Sequence, residues 1–443
     1  MKRWPIVLLV SLAVIVFLSP GIIGHLAEKN LDENLSWLEA ENDDIVITAE
    51  QFDRGWFTSE GRHRVTLKDG SLPEALTTGK TSGSGSLPSL VIDTRLDHGL
   101  LPLSSLGREQ GSLKPSIASS VSTLKIDNGN GELIDLPGTI YSTIGLTGNS
   151  SFHYVMEAGS QSDHDSQVAW SGADITVNTM PSSRSFSARG SIEPTTIESS
   201  GVVTEVGVVT FDVSQDRSQY AFGVGAVRLE IDSLDVTSPS EPPAGFGKVS
   251  LDAMSELEGD RVNGRTTVSF TRVLVPGIGP MNVDIGFAAT GLDARSLEVI
   301  VRALREAQGN ALSGAAQPGL PPDILADLEN LVTSGLEIQF TRFDISVPQG
   351  DLSTAITMTI PESDSKDSFS WPGVALATTA TIDLTMSTSL YEMIQTMNPQ
   401  ITSLIAMGVL KRNGENYETE IRYAKGLLTI NGAPMAIPLG MLQ

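Results

Sequence analysis

The chain contains no cysteine, few histidines and few aromatic residues, and these absences narrow what it can do. Its 443 residues include five histidines and 5% aromatic side chains. Without cysteine there is no disulfide, no thiolate nucleophile and no cysteine to carry a lipid. Stability must therefore come from buried apolar surface, and a lipoprotein anchor is excluded.

Basic residues are also scarce. The chain has 29 Lys and Arg against 53 Asp and Glu, a formal net charge of −24. Such a surface repels phosphate groups of nucleic acids and of anionic lipids. We therefore expect no nucleic-acid partner, and we attribute the acidic surface to solubility rather than to a specific cation site.

One long apolar segment lies at the N-terminus. Residues 5–23, PIVLLVSLAVIVFLSPGII, carry no charge, and as a helix they would be about 30 Å long, the thickness of a bilayer core. Lys2 and Arg3 precede the segment, and the next basic residue is Lys29. This pattern predicts one transmembrane helix in residues 1–24, with a cytoplasmic N-terminus and an exported body.

A cleaved signal peptide is the alternative interpretation of the same segment. Ser19-Pro20-Gly21 resembles a small-residue cleavage site, although no A-x-A sequence follows. The apolar run resumes at Ile22 and Ile23, and a helical pattern continues with leucines at 31, 35 and 38. These features favour a retained signal anchor.

Short segments in which apolar and polar residues alternate recur after the anchor. Clusters of Gly, Asn and Asp separate them, as in antiparallel meanders. We predict strands at 90–96, 121–126, 140–147, 151–157, 173–179, 202–213, 220–236, 248–258, 264–275, 336–347, 352–360 and 376–387. Helices are predicted from Asp293 to Gly309, from 321 to 335, and over 389–407 with a break at Pro399.

The predicted fold class is mainly β (β-rich α+β), with long antiparallel meander sheets and a few covering helices, preceded by one N-terminal transmembrane helix. Residues 238–247, SPSEPPAGFG, contain three closely spaced prolines and are the clearest linker. We therefore expect a β-rich part over 25–237 and a second β-rich part with helices over 248–443.

Several segments together resemble one family. FDRGWFTS at 52–59 is similar to a stretch that follows the anchor in YdgA-like bacterial proteins, and LDHGLLP at 96–102 resembles their His-Gly-Pro-Leu segment, with Leu100 at the usual proline. Residues 331–352 and 408–435 also fit the family pattern. The resemblance implies a single-span protein of the bacterial inner membrane with a β-rich periplasmic body, and it assigns no catalytic residue.

Arg54, Trp56, Phe57 and His98 are the candidate partner or interface residues. An exposed Trp-Phe pair beside an arginine could bind a partner or the membrane interface. The same aromatics could instead pack in the core, which is the commoner role of large aromatics in sheets. His98, before Gly99, is more simply explained as a histidine bonded within a turn.

No catalytic or cofactor motif is complete. Asp163-His164-Asp165 has ligand-type side chains, but adjacent residues seldom converge on one metal ion. Gly79-Lys80-Thr81 lacks the first glycine of a phosphate loop, because Glu74 stands at that position. We therefore expect no cofactor, no metal and no enzymatic activity.

Two classes of function remain open from the sequence. The first is a membrane-anchored binding or scaffold protein of the cell envelope; in one variant of this class an apolar groove holds a lipid or a partner envelope protein, whereas a closed body with surface patches would favour a scaffold. The alternative is an envelope hydrolase whose site is assembled from distant carboxylates. The sequence defines neither the ligand nor the oligomeric state.

Overall fold

The computed structural model describes residues 45–55, 57–67, 89–98, 116–127, 133–163, 166–180, 182–220, 222–240, 242–275, 278–312, 322–363 and 369–435. Strands account for 68% of the described structure and helices for 14%. The predicted mainly β class with antiparallel meanders is therefore confirmed. Across these ranges no helix has the length and apolarity needed to span a bilayer. The predicted anchor at 5–23 lies outside them.

The chain forms two compact units, and each is built from strands that pair with their neighbours in sequence. The first unit contains the described residues up to Gly159 together with Ser171–Ile192 and residues 309–312. The second contains Ser160–Trp170, Glu193–Gln308 and the described residues after 317. The linker predicted at 238–247 falls within the second unit, where part of it forms a strand.

Eight antiparallel strands form the sheet of the first unit, in the order of the chain. They are β1 (Ile45–Arg54), β2 (Thr58–Leu67), β3 (Ser89–His98), β4 (Ser116–Asp127), β5 (Leu133–Gly145), β6 (Ser150–Met156), β9 (Ala173–Met180) and β10 (Ser185–Ile192). Leu96, Ala118 and Ile144 form a buried cluster on one face. Serines on the same face, such as Ser120 and Ser142, bond to each other across strands.

The second unit contains a small six-stranded sheet. Its strands are β7 (Gly159–Asp163), β8 (Ser166–Trp170), β11 (Thr195–Ser199), β12 (Val202–Val206), β15 (Leu234–Thr237) and β16 (Ala244–Phe246). They pair in the order β16-β15-β12-β11-β8-β7.

A long antiparallel sheet makes up most of the second unit. Its strands are β13 (Val209–Arg217), β14 (Gly223–Ile231), β17 (Val249–Glu258), β18 (Arg261–Val275), β19 (Gly279–Asp293), β20 (Leu336–Val347), β21 (Gly350–Ile360), β22 (Thr379–Ser387), β23 (Lys411–Asn413), β24 (Asn416–Ala424), β25 (Leu427–Ile430) and β26 (Ala433–Met435). Each pairs with the next along this series, except that β24 pairs with β22, β23 and β25.

Helices occupy the connections of the long sheet. They are α1 (Ala294–Leu312), α2 (Pro322–Thr333), α3 (Trp371–Ala377), α4 (Thr388–Met397), a 3₁₀ turn (Pro399–Ile401) and α5 (Thr402–Ala406). Asp293 begins α1 as predicted, because its Oδ1 accepts a hydrogen bond from the Ser296 backbone N–H at 2.9 Å. Pro399 interrupts the helix predicted at 389–407, also as expected.

Several predicted strand boundaries are wrong, and three of them have a clear structural cause. The stretches 202–213 and 220–236 are each divided, because the chain leaves one sheet for the other at Gly207 and at Asp232. Gly207 donates its N–H to the Ser233 carbonyl at 2.8 Å, which fixes the corner between the sheets. The strand predicted from 376 begins at Thr379, because Ser370 caps α3 through the backbone N–H of Gly373.

Candidate functional site

The long sheet of the second unit has one apolar face and one polar face. Apolar and polar residues alternate along its strands apart from bulges in β18, β19 and β20, and direct pairing aligns the apolar positions of one strand with those of the next. We call this surface the apolar face. It carries Val209, Phe211, Val213, Val227, Leu229, Ile231, Val249, Leu251, Val268, Phe270, Val283, Ile285, Phe287, Ile338, Phe340, Phe343, Ile345, Leu352, Ile356, Met358, Ile382, Leu384, Ile421, Tyr423, Leu428, Ile430 and Met435.

The opposite face is polar and charged. Arg228 binds Asp252 at 2.9 Å, and Lys248 binds Glu230 at 2.8 Å. The Ser269 hydroxyl donates to Asp284 at 2.5 Å, on the same face of the next strands. This face is solvated, so the apolar face is the side of the sheet that requires a partner or a cover.

Most side chains of the apolar face are half-buried rather than buried. Val227, Phe340 and Met435 remain 36%, 38% and 37% exposed. In the sheet's centre, the rings of Phe287 and Phe340 meet edge to face with centroids 5.3 Å apart. Half-exposed aliphatic and aromatic side chains aligned over many strands make a surface suited to an apolar ligand.

Fully buried residues of the apolar face lie where helices pack against it. In β18, β19 and β20 these are Val262, Ala289 and Leu336, where α2 contacts β19 and ends just before Leu336. In β22 and β24, Met386 and Tyr417 pack with Leu390 and Tyr391 of α4 and with Leu410. Helices thus cover this face next to β19 and over β21, β22 and β24, whereas exposed positions such as Val227 and Met435 lie in strands outside these parts.

The candidate interface residues lie in the first unit, at one corner of its sheet. Arg54 is opposite Ser59 in the β1–β2 pairing, and the Ser59 hydroxyl is 3.1 Å from Nε2 of His98. The backbone N–H of His98 donates to the Phe57 carbonyl at 2.9 Å. The structure therefore brings together three of the predicted residues, while Trp56 lies outside the described residues.

These corner residues differ in exposure. Phe57 is 49% exposed and Arg54 is also exposed, whereas His98 is 3% exposed. His98 thus lies at the end of β3 with its ring beside the hydroxyl of Ser59 of β2, and the predicted bonding of this histidine within a turn is wrong. Its imidazole can reach no surface ligand in this arrangement, so Phe57 and Arg54 are the accessible members.

A charged cluster on the other face of the first unit was missed by sequence reasoning. Arg62 holds Asp93 through hydrogen bonds of 2.6 and 3.1 Å, and Lys125 lies 3.3 Å from the same carboxylate. The hydrogen bond from Arg62 lowers the pKa of Asp93, with a smaller effect in the same direction from Lys125, against desolvation that raises it. The sequence does contain a signal for this cluster, because charged residues occupy alternate positions along GRHRV and VIDTR and therefore share one face of their strands.

A cavity of about 520 Å³ lies over this cluster. It is lined by Gln51, Glu60, Gly61, Arg62, Asp93, Thr94, Arg95, Val121 and Thr123. Beside it, Arg64 bonds to Glu50 and to Asp127, and these bonds raise the pKa of its guanidinium. Opposite charges therefore neutralise each other here, which is typical of an ion-pair network that fixes strand register.

No cluster of ligand-type side chains suited to a metal ion occurs in the part of the chain that is described. Asp163 ends β7, and its sequence neighbours His164 and Asp165 are outside that part. A polar cavity of about 380 Å³ lies beside the N-terminus of α1 and includes Tyr220 and Asp260. Their 2.8 Å hydrogen bond raises the pKa of the Tyr220 hydroxyl.

These features define a β-meander protein with an extended apolar face on the long sheet of its second unit. The chain matches, over residues 1–438, the family described as "Bacterial protein of unknown function (DUF945)", and it belongs to that family. It is 22% identical over 265 residues to Protein YdgA of Escherichia coli (strain K12). That match covers 56% of this chain and 51% of YdgA, so the chain spans about half the length of this curated relative. No solved structure matches significantly.

Proposed function

We propose that this protein is a binding protein that holds the acyl chain of a lipid on the apolar face. The observation that carries the proposal is the alignment of half-buried apolar side chains across eleven strands with a solvated polar face behind them. At about 4.8 Å per strand, these strands span about 50 Å. A long, narrow ligand is needed to cover such a surface.

The chemistry of the face favours an acyl chain over a peptide strand. A bound peptide would need backbone hydrogen-bond partners, and strands inside the sheet have theirs occupied by their neighbours. An acyl chain needs no hydrogen bond and gains from burial at about 25 cal/mol per Å² before ordering costs. The face offers side chains that can provide that burial, such as Phe340, Val227 and Met435.

The alternative of a hydrolase built from distant carboxylates has less support. Asp93, in the largest charged cavity described above, is held ionised by Arg62, and an ionised carboxylate in an ion pair is a poor general acid. The Ser59–His98 pair resembles half of a nucleophile–base pair. Both residues are buried, at 1% and 3% exposure, so neither meets a substrate in this arrangement.

The proposal also includes a location. Residues 5–23 would anchor the chain in the bacterial inner membrane, with the body in the periplasm. The net charge of −24 would limit unspecific adhesion of the body to anionic lipids, while the anchor would keep the apolar face near its source of lipid.

Photocrosslinking to lipid tests the binding proposal, because neighbouring residues of one strand face opposite sides. A photoreactive residue at Val227 or Phe340 of the full-length protein should crosslink a labelled phospholipid during expression or reconstitution. Ala226 and Gln339 are the matched controls. Each directly precedes one of the two test positions, 227 and 340, and points to the polar face. Crosslinking at 227 and 340, with none at 226 and 339, is expected.

Two results would contradict the proposal. Equal labelling on both faces would mean that lipid contacts the body unspecifically. Absence of labelling at both apolar positions, in protein that remains folded by circular dichroism, would mean that the face is covered by something other than lipid. Turnover of an envelope substrate that is lost with one carboxylate substitution would instead favour the hydrolase.

A further inference from the structure

The chain contains an uncharged, exposed helical end in the second unit, at residues 396–408. We call it the helical tip. It includes the end of α4, the 3₁₀ turn and α5. Met397 is 69% exposed, Met407 is 64% exposed and Ile405 is 36% exposed. These large apolar side chains are exposed to solvent at positions where polar residues would be compatible with the fold.

The charge distribution around the tip is unusual for this chain. Residues 388–410 contain a single charged side chain, Glu392, although charged residues make up 19% of the whole sequence. The tip itself has none. A surface without carboxylates escapes the repulsion that the rest of this acidic protein experiences near phosphate headgroups.

The hydroxyl groups of the tip are bonded to the backbone of the same helical segment. The hydroxyls of Thr396, Thr402 and Ser403 donate to the carbonyls of Glu392, Pro399 and Gln400 at 2.9, 2.8 and 2.7 Å. The Asn398 side chain accepts from the Gln400 N–H at 3.2 Å. Donors that are satisfied internally lose little when water is removed, so the tip can leave water at low cost.

The inner side of the tip is fixed to the body. Ile401 and Leu404 pack on the buried cluster formed by Met386, Leu390, Tyr391, Leu410 and Tyr417. The apolar residues of this segment thus divide into an inner set that packs on this cluster and an outer set, Met397, Ile405 and Met407, which among the described residues is not part of the cluster and is exposed. Packing within the second unit explains why the inner residues are apolar, but it does not explain why the outer residues are apolar.

We propose that the helical tip is a membrane-contact site whose Met397, Ile405 and Met407 side chains insert into the interfacial region of a lipid bilayer. A bilayer fits better than a protein partner, because the residues that dominate protein-binding energy are Trp, Tyr and Arg, and because the tip carries no charge that would select a partner. The tip has no such anchor, and the hydroxyls of Thr396, Thr402 and Ser403 are already used. This inference is independent of whether the apolar face holds a lipid.

Absence of native cysteine makes the test direct, since each introduced cysteine is the sole labelling site. Met397→Cys and Met407→Cys, each in the full chain, are labelled with an environment-sensitive fluorophore and reconstituted into phosphatidylcholine vesicles. Met254→Cys is the matched control, because Met254 is 37% exposed on the polar face of the same unit. Ile405→Cys is a further tip position if one variant folds poorly.

We expect the emission at both tip positions to shift to shorter wavelength and to be quenched severalfold more strongly than at Met254 by nitroxide-bearing lipid. Because the tip is uncharged, raising the ionic strength should leave this quenching unchanged. Adding Met397→Glu to the Met407→Cys protein should reduce quenching to the level of the Met254 control, since a carboxylate resists leaving water.

Three outcomes would overturn the proposal. The first is quenching at the tip no stronger than at Met254. The second is a shift to shorter wavelength that needs no lipid and increases with protein concentration, because a second copy of the chain would then cover the tip. The third is quenching that falls steeply with salt, because charges elsewhere would then hold the protein on the vesicle.

Discussion

The buried cluster beneath α4 allows a quantitative prediction. Leu390 is 5% exposed and packs with Met386, Tyr391, Leu410 and Tyr417. Leu390→Ala removes three carbon atoms, a loss of about 2.4 kcal/mol at about 0.8 kcal/mol for each buried group. The remaining cavity adds a further cost, so the free energy of unfolding of this region should fall by about 3–4 kcal/mol.

Hydrogen exchange followed by mass spectrometry is the suitable measurement, because a chain with two compact units need not unfold in one step. Peptides within 388–424 report on the region around the cluster, and a peptide from β3 reports on the other unit. A loss of about 3 kcal/mol corresponds to somewhat more than a hundredfold faster exchange through local opening. The peptide from β3 should be unchanged.

Met397→Ala is the matched control, since Met397 lies on the same helix and is 69% exposed. Its effect on the free energy of unfolding should stay within about 0.5 kcal/mol. If Leu390→Ala accelerates exchange no more than Met397→Ala does, then α4 is not held by the cluster. In that case the sheet would not fix the inner side of the helical tip either.

Acid stability and membrane topology give two further predictions. The pKa of Asp93 is lowered in the folded state, so its pairing stabilises the fold above the unfolded pKa of about 3.9 and is lost as pH falls through the folded value. Asp93→Asn should cost about 1 kcal/mol at pH 7 and flatten the acid limb of a melting-temperature profile, whereas an unchanged limb would contradict the pairing. Reporter fusions at Gly70 and at the C-terminus should be active only with an exported reporter, and cytoplasmic activity at either site would refute the proposed topology.

The alternation of apolar and polar residues predicted a strand correctly where each face of the strand has the same environment along its length. The strand over 336–347 was predicted with the bounds that the structure has, because its apolar residues all meet one face. Strands over 185–192 and 195–199 were missed, since SFSARGSI and TTIES are rich in small and polar residues. Such segments gain their strand conformation from pairing with neighbours, which a local pattern does not contain.

Sheet exchange was the second feature that periodicity could not predict. Residues 202–213 keep a strand-like pattern throughout, yet β12 and β13 belong to different sheets. The exchange occurs at Gly207, where an added Cβ would lie 2.8 Å from the Ser233 hydroxyl oxygen. In the same way, three prolines suggested a linker at 238–247, whereas Ala244–Phe246 pairs with Leu234–Val236 as an edge strand.

The candidate sites, like the strands, could be predicted from the sequence only in part. The sequence singled out Arg54, Phe57 and His98, and the structure places them at one corner, but burial of His98 depends on packing that is distant in sequence. The possibility of an exposed apolar strip followed from strand alternation and few helices. Which strands would carry it could not be predicted, because the positions of α1, α2 and α4 on the sheet are set by tertiary contacts.

The pairing of strands in chain order has a consequence for how this family can change over time. In a meander, a two-stranded hairpin inserted at a turn, for example between Glu258 and Arg261, widens the sheet by about 10 Å and leaves every other side chain on its original face. A single residue inserted within a strand would turn the remainder of that strand over. Relatives should therefore differ in the extent of the apolar face by whole hairpins, so that its area changes in discrete steps while the parts covered by helices are retained.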